Sequence, residues 1–186
     1  QLQTTGDAVR FNGAVTLSSA VSLDTDSNDN NSAGGSIIFT NDAPLDSQTG
    51  EHNLMQLDVG TAAIFFNEDI GATQSIGTFT IHEADAGVIF GQADSETIGS
   101  GSTGPVNVIH TDGAINIGVG NNVIGGAGIV LNGGANPIVL TTTNDNVRFN
   151  GAVTLMSDVR ITTGSGAGDI TFTNDAPIDS EASENN

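Results

Sequence analysis

Val9-Arg10-Phe11-Asn12-Gly13-Ala14-Val15-Thr16-Leu17 stands again, residue for residue, as Val147-Arg148-Phe149-Asn150-Gly151-Ala152-Val153-Thr154-Leu155. The identity extends outward from both stretches. Residues 1–25 align with 139–163 at 16 identical positions, and residues 35–53 align with 168–186 at 12 of 19. Residues 1–53 thus recur as 139–186, a superrepeat in which Val9 returns as Val147. Gln1 aligns with Val139 and Asn186 with Asn53, so the chain reads as a stretch of a longer array, uncapped at either end. Repeat arrays of this kind stack one structural unit on the next. They build length and surface.

The repeated stretch also shows what the unit is. Val9/Phe11 and Val15/Leu17 are apolar residues separated by one polar residue, and the same triplet occurs along the whole chain, as in Ile37/Phe39, Leu57/Val59, Phe79/Ile81, Val106/Val108, Ile115/Ile117, Ile138/Leu140 and Ile170/Phe172. Period two over three to five residues predicts a short strand with one buried face, and the β-branched and Phe content fits a pleated surface. Asn-Gly, Asn-Asp, Asp-Gly and Gly-Ala-Gly fill the intervals and supply turns. No window carries helical spacing with caps. Many triplets follow one another too closely for a sandwich, and such spacing suits the sides of a coil. The expected fold is all-β: a single parallel β-solenoid over residues 1–186, with about 23 residues per coil and about six coils per superrepeat. In that register Val9, Phe11, Val15, Leu17, Val147, Phe149, Val153 and Leu155 point inward, and Arg10 and Arg148 point out.

The two copies differ in one corner. Asp26 to Gly34 replaces the shorter Gly164 to Ala167, and an insertion of this sort bulges from a solenoid without disturbing the stack. Residues 92–105, rich in Ser and Gly, form a second expected bulge.

Composition narrows the function. The formal net charge is -19, with 3 Lys+Arg against 22 Asp+Glu. Nucleic acid and anionic membrane surfaces both need clustered cations, so the charge argues against both as partners. No apolar run is long enough to span a membrane as a helix. The chain has no Cys, hence no disulfide and no thiolate metal site. It also has no Trp or Tyr, the usual stacking platforms for sugars.

Val9 to Leu17 with Ile37 to Ser47, Leu57 to Phe66, and Ile76 to Ile81 resemble the β-strand repeats of giant bacterial surface proteins of the filamentous-hemagglutinin type. The resemblance implies a right-handed parallel β-helix, export to the cell surface and a structural or adhesive role. It brings no catalytic residues with it. Residues 92–105 and 118–128 depart from the pattern.

Several side-chain groups suggest chemistry. Asp24, Asp26, Asn28 and Asn30 place oxygens at alternate positions, as in the first half of a calcium loop. However, Asp29 stands where such a loop has Gly and Gly35 where it has Glu, and the second copy lacks the segment. The plainer reading of the segment is a solvated polar corner. The pairs Glu68/Asp69, Glu83/Asp85, Asp94/Glu96 and Asp42/Asp46 resemble glycosidase carboxylates only in type. With three arginines in the chain, two at equivalent repeat positions, they read as structural, and no enzymatic activity is expected. His52, His82 and His110 share no spacing. Gly118 to Gly134 lacks the Lys and the helix of a phosphate loop. Asn12, Asn150, Asn41 and Asn174 suit turns. The expected role is a structural segment of an extracellular bacterial fibre or adhesin. Its expected partner is more of itself, by continuation or end-to-end stacking. Binding of polysaccharide along one face is the alternative, and a polysaccharide-degrading enzyme the least supported.

Overall fold

The computed structural model describes residues 1–26, 33–91 and 104–180. Among these, every regular element is a strand and every strand-to-strand ladder is parallel. The chain winds as a three-sided solenoid. The first coil is β1 (Leu2–Gln3), β2 (Val9–Phe11) and β3 (Val15–Leu17), and the second is β4 (Val21–Asp24), β5 (Ile37–Phe39) and β6 (Leu45–Ser47). The third is β7 (Met55–Asp58), β8 (Ala63–Phe66) and the single bridging residue Ile70. The fourth is β9 (Phe79–Ile81), β10 (Gly87–Phe90) and β11 (Val108–His110). Then come β12 (Ile115–Ile117), β13 (Ile124–Leu131) and β14 (Ile138–Thr141), followed by β15 (Val147–Phe149), β16 (Gly151–Leu155) and β17 (Val159–Thr162). The last coil holds β18 (Ile170–Phe172) and β19 (Ile178–Ser180).

The first strand of each coil builds sheet 1 and the second builds sheet 2, each seven-stranded. Sheet 3 runs as β3-β6, bridges through Ile70 to both Leu45 and Ile109, and continues as β11-β14-β17. Inward side chains of all three sheets meet in one core of Val, Ile, Leu, Met and Phe, most of it fully buried. Phe11, Phe39, Phe66 and Phe90 stack along sheet 2 with ring centroids 4.7, 4.9 and 5.2 Å apart. Phe79 of sheet 1 packs edge-on against Phe66 at 5.6 Å. A core only a few side chains wide needs no large aromatic scaffold, which is how a chain with 4% aromatic residues fills it.

The inward and outward register follows the period-two expectation. Val147 and Phe149 are fully buried, Val153 is 1% exposed, and Val9, Phe11, Val15 and Leu155 are half-buried against the same core. Arg10 is exposed, and Arg148 lies outward and half-buried. At the two ends, where a coil has only one neighbour, inward side chains remain open: Leu2 is 45% exposed, Ile170 45% and Ile178 51%.

The coil is longer than the triplet spacing implies. Along sheet 1 the aligned residues are Leu2, Leu23, Leu57, Ile81, Ile117, Phe149 and Phe172. The six steps from Leu2 to Phe172 average about 28 residues per coil, against the expected value of about 23. The shortest step runs from Leu2 to Leu23 and the longest from Ile81 to Ile117. Some of the spacings do join true neighbours, as from Val147 to Ile170 and from Val9 to Ile37. Others join strands of different sheets. Ile37 pairs with Ile64 of sheet 2, whereas Leu57 belongs to sheet 1. An apolar triplet records that one face is buried; it does not record which side of the coil it forms.

The copies therefore relate differently from a simple axial shift by six coils. Val9–Phe11 lies in sheet 2, but its copy Val147–Phe149 lies in sheet 1. Likewise Val15–Leu17 is in sheet 3 and Val153–Leu155 in sheet 2. From β2 to β15 the chain takes fourteen sides, or four coils and two sides. The second copy is thus turned by one side about the axis and moved by about 22 Å, at ~4.8 Å per coil. Local geometry survives the turn. Val15 N donates to Pro44 O and Val153 N to Pro177 O, both at 2.8 Å. Thr4 and Thr142 each donate a hydroxyl to the carbonyl three residues on. Thr25 donates to Gly35 O and Thr163 to Gly168 O, so the corner is closed identically with or without the longer loop. The three sides are close enough in shape for one sequence to serve on more than one of them.

The departure at residues 118–128 is a local excursion plus a bulge. Residues 118–122 loop outward, and in β13 the register slips between Ile124, opposite Gly151, and Ile129, opposite Val153. The slip is accommodated by Gly125-Gly126-Ala127-Gly128. Gly128 has φ +70, and a Cβ there would lie 2.3 Å from Ala152 O. Of the expected bulge at 92–105, residues 92–103 lie outside the described residues.

Candidate functional site

Strand alternation and register together create the main surface feature. In sheet 1 the outward residue of each strand falls in one row: Ser22, Gln56, Thr80, Asn116, Arg148 and Thr171. Beside it runs a second row in which Asp24 pairs with Asp58, and His82, one residue past Ile81, continues the line. The 118–122 loop walls this surface. Its base is tied down by Gly118 N to Ile81 O at 2.9 Å, and by the Arg148 guanidinium donating to Gly118 O and Gly120 O. Asn150 Nδ2 holds the far end through Asn122 O at 2.8 Å. The result is a groove in two contiguous stretches of about 310 and 510 Å3 that share Gln56 and His82. Glu83 and Asn122 line the first stretch, Val119 and Gly120 the second. Among the described residues, the side chains of Ser22, Gln56, Thr80, His82 and Asn116 make no hydrogen bond within the protein.

The sequence draws attention to only part of this surface. Asp24, Glu83, His82 and Arg148 stand out in it for other reasons; Gln56, Thr80 and Asn116 do not. These three lie on successive coils and share no motif. Only correct coil pairing aligns them.

The flagged carboxylates separate by task. Asp69 Oδ1 accepts from Asn107 N at 2.8 Å and Val108 N at 2.9 Å, fixing the entry of β11. Asp46 Oδ1 accepts from Thr73 N and Gln74 N, both at 3.0 Å, across one coil. Asp69 N donates to Glu68 Oε1 at 3.1 Å. Charge-assisted bonds of this type close corners whose backbone donors would otherwise be unsatisfied. Asp42 is exposed, and Asp94 and Glu96 lie outside the described residues.

Of the calcium-loop residues, Asp24 and Asp26 are 8% and 3% exposed, and Asn28 and Asn30 lie outside the described residues. The Asp24 carboxylate accepts from Asp26 N at 3.1 Å and from Gln3 Nε2 at 2.8 Å, which makes it the acceptor of a tight turn. Among the described residues, no group of three or more His, Cys, Asp or Glu is arranged to hold a metal ion.

His52 Nδ1 lies 3.0 Å from Ser75 Oγ at a corner, whereas His82 lines the groove on the outer face of sheet 1. Thr142 is buried in its corner. Asn41 and Asn174 occupy equivalent turns, closed by Ala43 N to Thr40 O at 3.0 Å and Ala176 N to Thr173 O at 3.1 Å. Among the described residues, Asn41 Oδ1 is buried there with no hydrogen-bond partner.

Sheet 2 carries an apolar outer patch in the same period-two register. Ile38, Ala63 and Phe65 form a second small cluster with Ile89, beside a shallow groove of about 630 Å3 edged by Ala8, Ala62, Ala86 and Ala127.

No protein-family model, curated protein or solved structure matches the chain.

Proposed function

We propose that this chain is a structural segment of an extracellular bacterial fibre or adhesin, in which coils continue end to end. The observation that carries the reading is the stack itself: parallel coils ranged one on the next around a single narrow apolar core. Leu2, Ile170 and Ile178 point into the coil interior yet remain about half exposed. β1, β2 and β3 on one side, and β17, β18 and β19 on the other, each have one strand neighbour among the described residues. Unpaired strand edges over an apolar core are a template for further pairing. Further solenoid, continuous with this chain or supplied by another copy, would bury those side chains and complete the ladders. Head-to-tail contact that does not close produces a filament. The net charge of -19 keeps such filaments apart laterally.

The resemblance to filamentous-hemagglutinin-type repeats supports export and a cell-surface location. Small-angle scattering across a concentration series, with electron microscopy of the concentrated sample, tests end-to-end growth. Rods that lengthen while their cross-section stays constant support the proposal. Particles that grow in cross-section, or stay compact monomers at every concentration, refute stacking by separate copies. Antibody labelling of intact producing cells tests the location.

A further inference from the structure

We propose that the groove on the outer face of sheet 1 binds a neutral polysaccharide laid along the solenoid axis. The inference goes beyond the structural role, since a fibre needs no groove. Four neutral polar side chains, Ser22, Gln56, Thr80 and Asn116, stand in one row, one from each of four successive strands. Two of the four are carboxamides, each with two donor hydrogens and an acceptor, and two are hydroxyls. None of the four makes a hydrogen bond within the protein among the described residues, and Thr80 is only 6% exposed at the groove floor. From Ser22 to Arg148 the groove crosses five strands, about 19 Å at ~4.8 Å per strand.

The chemistry selects the ligand. The backbone N–H and C=O groups beneath the groove are engaged in the sheet 1 ladders, so an extended peptide cannot add as a strand here. Polyanions are repelled by a chain of charge -19, and Asp24, Asp58 and Glu83 sit at one end of the groove. Sugar hydroxyls both donate and accept, and so match amides, hydroxyls and carboxylates alike. The groove offers no aromatic ring, so each sugar is held by hydrogen bonds in competition with water. Binding then depends on several coils engaging one long polymer at once.

The test is native affinity electrophoresis in gels containing hydroxyethyl cellulose, laminarin or dextran, with alginate as the polyanionic control. At least one neutral polymer should slow the protein at least twofold relative to a polymer-free gel, and alginate should not. The Gln56→Ala/Asn116→Ala double variant should regain free mobility with an unchanged far-UV circular dichroism spectrum. The conservative Asn116→Gln should retain part of the retardation. Free mobility in all three neutral polymers, or retardation that survives the double variant, overturns the proposal. Retardation by alginate equal to that by the neutral polymers overturns it as well. These outcomes are independent of end-to-end growth, because the substituted side chains face away from the core.

Discussion

Phe66 sits where the solenoid core can be weighed. Its ring is fully buried, stacked between Phe39 at 4.9 Å and Phe90 at 5.2 Å, and met edge-on by Phe79 at 5.6 Å. Replacing it with Ala removes the transfer energy of the ring and leaves a cavity between coils that neighbouring strands cannot close, because the hydrogen-bonded ladders fix their spacing. Buried Phe→Ala changes cost about 3–5 kcal/mol, and lost aromatic pairs add at the upper end, so about 4 kcal/mol is expected. Phe172 is the contrast. It is half-buried in the last coil and, among the described residues, stacks only on Phe149, at 4.9 Å. Its replacement should cost about half as much, roughly 2 kcal/mol, since half the ring is already in water. Urea unfolding followed by far-UV circular dichroism suits a chain without Trp or Tyr, at concentrations where it is monomeric. With a slope of about 2 kcal/mol per molar urea, the midpoints should fall by about 2 M for Phe66→Ala and about 1 M for Phe172→Ala. Equal losses for the two variants would refute the stacked-core reasoning. So would a cost below about 1 kcal/mol for Phe66→Ala.

Three further outcomes are expected. Gly128→Ala should cost more than about 2 kcal/mol, because φ +70 is combined with a Cβ 2.3 Å from Ala152 O, whereas Gly50→Ala, at φ +79 with open space around it, should cost only about 1 kcal/mol; thermal midpoints of the two variants compare them. Asp69→Ala should lose about 1–2 kcal/mol by releasing Asn107 N and Val108 N, while exposed Asp42→Ala stays within about 0.5 kcal/mol in the same denaturation assay. Five Gly/Ser residues inserted between Gly164 and Ala167 should change stability by less than about 1 kcal/mol, since the equivalent corner of the first copy carries five residues more and closes with the same Thr-to-carbonyl bond; a larger loss would show that the two corners are not interchangeable.

The sequence alone determined that the chain is all-β, that its strands are short, and that each buries one face. Alternation at Val9-Arg10-Phe11 or Val147-Arg148-Phe149 fixes which side chains point inward on any strand, because the pleat has period two whatever the strand pairs with. Turn residues and the near-identical copies made a stacked array legible as well. Only the tertiary structure decided which strands pair. Coils differ in length through their corners, and an apolar triplet is the same whether it belongs to sheet 1, 2 or 3. That is why the copies are turned by one side, and why the coil is longer than the triplet spacing implies. The groove was hidden for the same reason. Gln56, Thr80 and Asn116 become neighbours only once the ladders are aligned, since contacts between coils depend on register across dozens of residues, and local sequence carries no record of it.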